Sequence, residues 1–174
     1  TKVLFIPGNF ASRVSSTWMK RAGIEKQVLL AETDTLPYAC RLEEPGRVHV
    51  WGMKQRLAAS AFPGSRNPEL FEAIAPSFPI EVIPAESVLQ IALSNMNMVV
   101  HCLTLLLNVG RVEATGGAFR FYTDGVTPTI GKLMEILDGE RRQVGKAYGL
   151  ELASAVEWVK AAYALEGDSL YELL

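Results

Sequence analysis

Several features that would have narrowed the function of this chain at once are scarce in it. Its 174 residues include only two cysteines, Cys40 and Cys102, and neither belongs to a CxxC or Cys/His cluster. That excludes a disulfide framework and a structural zinc site, predicts no bound metal, and points to a reducing, cytoplasmic compartment. An excess of basic charge is missing as well: 17 lysines and arginines stand against 19 aspartates and glutamates. A net charge of −2 argues against a nucleic-acid partner, whose usual footprint is a basic patch. No basic segment followed by an apolar one and a cleavage site opens the chain, so no signal peptide is expected. Internal repeats and low-complexity tracts are lacking. So is a GxGxxG turn between strand and helix, since Gly8 stands alone and Gly116-Gly117 precedes no suitable helix.

What is present is the composition of a globular protein, 49% hydrophobic and 21% charged. A chain of this length buries roughly two-thirds of its unfolded surface and needs no staple to hold a core. Residues 2–6 form an apolar run that predicts a buried strand, followed by the turn Pro7-Gly8-Asn9, a helix over Ser12–Arg21 and a second apolar run over Val28–Ala31. Strand, helix and strand in that order build parallel α/β sheets. Tyr38–Leu42, Val48–Met53 and Arg56–Phe62 look like a small antiparallel meander. Asn67-Pro68 predicts a helix start with asparagine as the cap, and 80–83 one more strand ending at Pro84.

Everything beyond Pro84 has helical character. One long helix is expected from about Ala85 to Val112, a second from Pro128 to Tyr148 capped by Thr127, and a third from Leu152 to Leu165. The shift at Pro84 divides the chain into 1–84 and 85–174. The apolar run at the very start, and the helix-like SLYELL at the end, predict a piece of a longer protein cut at both ends.

Between Ser87 and Gly110 no residue is charged, and at 1.5 Å per residue the segment is long enough to span a bilayer. Its polar residues are too ordered for that. Gln90, Ser94, Asn97, His101, Thr104 and Asn108 recur at steps of 4, 3, 4, 3 and 4, which on one continuous helix confines them to an arc of roughly 80°. Flanks without a basic cluster also speak against a membrane span. Six buried polar groups need partners, since each unpaired one costs about 1 to 3 kcal/mol. A wet cleft or a polar ligand supplies them, and His101 is the group in the seam that can trade protons near neutral pH. The competing reading has Asn97 and His101 hydrogen-bonding to neighbouring helices.

Three stretches resemble a known family. Ser94 to Glu113 (SNMNMVVHCLTLLLNVGRVE) is similar to the helix that opens the C-terminal domain of the opine dehydrogenases, the octopine and nopaline dehydrogenase group. Ala31 to Arg41 (AETDTLPYACR) resembles a segment near the end of that family's nucleotide-binding domain. Phe121 to Gly149 resembles its second long helix and the approach to it.

The resemblance implies α/β plus all-α architecture: 1–84 as the latter part of a Rossmann-type NAD(P)-binding domain, and 85–174 as the first part of a helical domain like that of 6-phosphogluconate dehydrogenase. It implies reductive condensation of an amino acid with a 2-oxo acid such as pyruvate, using NAD or NADP. It implies His101 as acid/base and Asn97 as its neighbouring substrate contact, with Ser94 and Thr104 lining the substrate site and Pro7, Gly8 and Asn9 facing the nicotinamide. The cofactor's phosphate-binding turn, and the arginine and acidic partner that the family carries, match no segment of this chain. Two other readings stay open: a non-enzymatic helical dimerisation or scaffold module, and a two-domain dehydrogenase acting on a 2-hydroxy or 2-oxo acid. A homodimer through the helical domain also stays open.

Other polar residues are expected to have ordinary roles. Glu32, Thr33 and Arg41 beside the strands, and the run Glu140-Arg141-Arg142, are read as solvated, and His49 as an exposed strand residue. Phe119, Phe121 and Tyr122 are expected in the core or along a pocket wall. In the third helix Val156, Val159, Ala162 and Tyr163 form an apolar packing face.

Overall fold

The computed structural model describes residues 1–174, the side chain of Ala75 excepted. The chain divides into two compact units, Thr1–Asn95 and Met96–Leu174, eleven residues beyond the composition shift at Pro84.

The first unit is built on a sheet of β1 (Lys2–Phe5), β2 (Leu29–Thr33), β5 (Arg56–Phe62) and β6 (Glu81–Pro84), in the order β1-β2-β5-β6. β1 and β2 are parallel, with Val3 opposite Leu30. The helix α1 (Ala11–Arg21) connects them, as the strand, helix, strand pattern predicts. β2 is antiparallel to β5, and β5 is parallel to β6. Every residue of β2 is buried, the mark of a central strand covered on both faces. The core gathers Leu29, Ala31, Ala59, Ala61 and Leu70; alanines on β5 let the helices α2 (Asn67–Ile74) and α3 (Val88–Leu93) approach closely.

The expected three-strand meander is corrected by the structure. β3 (Tyr38–Glu44) and β4 (Arg47–Met53) form a separate two-stranded hairpin, while β5 leaves it for the main sheet. The switch is made at a buried polar anchor. Asp34 accepts the backbone N–H of Ala58, and Lys54 donates from Nζ to the carbonyl of Leu36 at 2.9 Å. Burial pushes the Lys54 ammonium below its ordinary pKa, against the pull of Asp34 and Cys40.

Asn67 also departs from expectation. Rather than capping its own helix, its Oδ1 accepts from the N–H of Ala61 at 2.7 Å and its Nδ2 donates to the carbonyl of Ala85 at 2.8 Å. One amide thereby ties β5 to the chain leaving β6.

The long helix expected from Ala85 to Val112 is three helices: α3, α4 (Asn97–Leu107) and α5 (Val109–Thr115). Val88–Leu107 is apolar enough to cross a membrane by length and composition, but Ser94 to Met96 interrupt it. Ser94 ends α3, and Asn95 is buried with Nδ2 donating to Asn9 Oδ1 at 2.9 Å. Serine and asparagine side chains compete for backbone and local partners, which weakens a helix where they cluster.

The second unit packs α4 on α6 (Pro128–Ala147), with α7 (Ala155–Tyr163) and α8 (Leu170–Leu173) completing it. Its core joins Met96, Val99 and Val100 to Ile130, Met134, Val159, Leu170 and Leu173, with Val156, Trp158 and Tyr163 packed against them. Thr127 caps α6 with proline at its first turn, as the sequence predicts. α7 starts at a capping box: Ser154 Oγ accepts from the N–H of Glu157, whose carboxylate accepts from the N–H of Ser154.

Candidate functional site

The first candidate is the turn at the carboxyl end of β1. The N–H of Gly8 donates to the carbonyl of Thr33 at 3.0 Å. Asn9 and Phe10 both have left-handed backbones, with φ 58° and 65°. Phe10 has no side-chain oxygen with which to cap α1, so Glu32 on β2 does it. The carboxylate of Glu32 accepts from the N–H of Phe10 at 2.9 Å, the N–H of Ser12 at 2.8 Å and the hydroxyl of Ser12. Glu32 and Ser12 are fully buried, which corrects the expectation of a solvated Glu32. A Cβ on Gly8 would stand 2.0 Å from Glu32 Oε2, so glycine is required there by the glutamate.

The same contacts decide what this turn can offer a dinucleotide. Phosphates are ordinarily held by the free N–H groups at a helix N-terminus. Here the donors of Phe10 and Ser12 are taken by a carboxylate that would also repel a phosphate. The turn of Pro7, Gly8 and Asn9 does not fit the pyrophosphate.

The second candidate lies on α4. Asn97 opens the helix and His101 follows one turn later on the same face. His101 is half-buried. Its Nε2 lies 3.3 Å from the hydroxyl of Tyr122, and its ring meets Phe121 edge-on at 5.2 Å between centroids. The six-residue seam is not continuous. Gln90 Oε1 accepts from the N–H of Glu86, and Ser94 terminates α3. Thr104 is fully buried and donates its hydroxyl to the carbonyl of Val100 at 2.7 Å, which removes it from the expected substrate contacts. Asn108 donates from Nδ2 to the carbonyls of Thr104 and Gly125. Of the seam, α4 brings together Asn97 and His101.

The loop that carries Phe121 and Tyr122 is fixed from several sides. Asp124 accepts from the N–H and guanidinium of Arg120, the main cause holding its carboxyl below the usual carboxylate range. Arg111 donates to the carbonyl of Asp124 at 2.9 Å and lies over the ring of Phe119 at 5.6 Å. Sequence reasoning placed these aromatics in the core or along a wall and missed Tyr122 as the partner of His101. The available signal was the turn-forming Thr123-Asp124-Gly125 directly after the two rings.

Elsewhere, Arg141 is buried rather than solvated. Its Nε donates to Asp138 Oδ1 at 2.8 Å, while Asp138 Oδ2 accepts from the N–H of Ala155 at the start of α7. Arg41 and His49 are exposed, and Cys40 and Cys102 are free thiols. An open groove of about 290 Å³ between α6 and the segment leading to α7, lined by Arg142, Gln143, Lys146 and Leu152 among others, contains none of the expected site residues. Among the described residues no three or more His, Cys, Asp or Glu side chains gather as metal ligands.

Residues 84–174 match the family model for the NAD/NADP octopine/nopaline dehydrogenase α-helical domain. The chain is 32% identical over 170 residues to an opine dehydrogenase of Arthrobacter sp. (strain 1C), covering 98% of this chain and 47% of that protein. It is 28% identical to a D-nopaline dehydrogenase of Agrobacterium vitis, over 82% of this chain and 42% of the relative. A solved octopine dehydrogenase with NADH and L-arginine superposes with a TM-score of 0.66 at 21% identity, over 99% of this chain and 46% of that structure. The chain thus spans about half the length of the relatives it matches. With the helical-domain model covering more than half of its residues, this chain belongs to the octopine/nopaline dehydrogenase family.

Proposed function

We propose that this chain is part of a cytoplasmic, NAD(P)-dependent opine dehydrogenase acting on CH-NH donors. The enzyme reductively joins the amine of an amino acid to a 2-oxo acid of the pyruvate type. Residues 1–84 supply the latter part of its Rossmann-type domain and 85–174 the first part of its helical domain. Pro7, Gly8 and Asn9 serve the nicotinamide end of the cofactor, a role that rests on the family resemblance. The observation that carries the reading is the pair Asn97 and His101, one turn apart on α4 within the stretch matched by the family's helical-domain model.

The chemistry before reduction asks for proton transfers that these two residues can perform. Attack of an amine on a keto carbon gives a carbinolamine, and its conversion to an imine removes a proton from nitrogen and delivers one to the departing oxygen. Imidazole gives and takes protons near neutral pH. Asn97 offers a donor and an acceptor to orient a carboxylate or carbonyl oxygen.

His101→Ala in the enzyme expressed from the complete reading frame should lower turnover with NADH or NADPH, pyruvate and an amino-acid panel by at least about a hundredfold. Unchanged turnover would remove His101 from the mechanism. Cofactor oxidation that needs no amine would point instead to a 2-oxo-acid reductase.

A further inference from the structure

We infer that Tyr122 is a positioning residue for His101: its phenol holds Nε2 and, with Phe121, keeps the imidazole in one orientation through both protonation states. The kinetic consequence rests on the acid/base reading of His101; the geometry does not. The hydroxyl stands 3.3 Å from Nε2, and Phe121 meets both rings nearly edge-on, at 5.2 Å to His101 and 5.0 Å to Tyr122.

A phenol suits a residue that must change protonation state in every turnover. It has one donor and two acceptor lone pairs. Its oxygen accepts from the N–H at Nε2 in neutral imidazole and in imidazolium alike, which leaves Nδ1 as the nitrogen that takes and returns the reacting proton. A carboxylate in that place would favour only the charged form. The ring therefore need not move when its proton does.

The loop behind Tyr122 is arranged to hold that phenol still. Asn108 binds the carbonyl of Gly125, and the N–H of Val126 donates to the carbonyl of Tyr122 at 2.9 Å. A Cβ on Gly125 would fall 2.2 Å from the carbonyl oxygen of Phe121 and 2.9 Å from Thr104 Cγ2. Glycine at 125 allows the loop to close this tightly onto α4.

The chain has two histidines, so nitrogen resonances of the 174-residue chain labelled with 15N-histidine are assigned by His49→Gln alone. Tyr122→Phe is expected to move the Nε2 resonance of His101 and leave that of His49 in place. Labelling with 3-fluorotyrosine, whose phenol oxygen is a weaker acceptor, should move the same resonance without removing any group, and so serves if the phenylalanine variant does not fold. In the enzyme from the complete reading frame, Tyr122→Phe should lower kcat about tenfold and leave KM within about twofold, the pattern of lost orientation rather than lost binding.

A His101 Nε2 resonance unmoved by both changes overturns the inference. So does a moved resonance with unchanged kcat where His101→Gln abolishes turnover. If His101→Gln is fully active while the resonance still moves, the acid/base reading has failed and the positioning role falls with it, leaving only the hydrogen bond.

Discussion

Each unit of the molecule holds a buried carboxylate at the start of a helix that lies elsewhere in the sequence, and the two are satisfied in different ways. Glu32, on β2, caps α1 through two backbone N–H groups and the Ser12 hydroxyl. Asp138, on α6, caps α7 through the N–H of Ala155 and is also ion-paired with buried Arg141. The Glu32 arrangement uses the positive end of a helix and fits so closely that Gly8 must lack a side chain. The Asp138 arrangement uses a formal counter-charge, and the guanidinium reaches on to the carbonyl of Ala153. The first is sensitive to volume and the second to charge.

Arg141→Met should break that contrast most severely. Asp138 would keep only the half-exposed Arg142, 3.4 Å from its Oδ2, and the loss is expected to cost about 3 kcal/mol, read from Trp158 fluorescence in denaturant. Trp158 is the one tryptophan of Met96–Leu174. Asp138→Leu combined with Arg141→Met should recover part of the loss; full additivity would mean that the two do not act as a pair.

In the other unit, Gly8→Ala should cost about 1 to 3 kcal/mol by overpacking against Glu32. The cost should shrink when Glu32 is also replaced by glycine, since its Cβ as well as its carboxylate stands in the way, at 2.4 Å. A cost that is unchanged in that background would place the clash elsewhere than on the glutamate.

The smallest expected effect is at the capping box of α7. Ser154→Ala should cost about 1 kcal/mol. Hydrogen bonds from the backbone and then the side chain of Ser154 hold the Glu157 carboxyl below its ordinary value of 4.5. A lowered folded value means that the stabilisation is fully present above pH 4.5 and is lost as pH falls through the lowered value. Thermal melts of wild type should approach those of Glu157→Gln as pH falls through that range, and parallel curves would refute the linkage.

These carboxylates also show what was legible in the sequence. Local signals held where the physics is local: Thr127-Pro128 marks the start of α6, and the strand, helix, strand order marks β1, α1 and β2. The Asn97 and His101 pair was legible because both lie on one short helix. The wider seam was not, because its arc assumes a helix that Ser94 to Met96 interrupt. Glu32 looked solvated because its partners lie 20 residues or more away; Arg141 has Asp138 one turn away, but the chain they both bind, Ala153 and Ala155, lies 12 or more residues further on. Periodicity reports which residues share a face and says nothing of distant donors. Tyr122 was hidden for the same reason, since its meeting with His101 depends on a loop closed by Asn108, Arg111 and Gly125.

That loop has a consequence for how its length can vary. Its second half, Arg120 to Thr127, is fastened by Asp124, by the Asn108 amide and by the close approach at Gly125. Its first part is different: Gly116 and Gly117 have left-handed backbones with open space where a Cβ would stand. Insertions or deletions at Gly116 to Ala118 should be absorbed there, leaving the phenol of Tyr122 where it is. A single residue added between Phe121 and Gly125 would shift the register of the whole clamp.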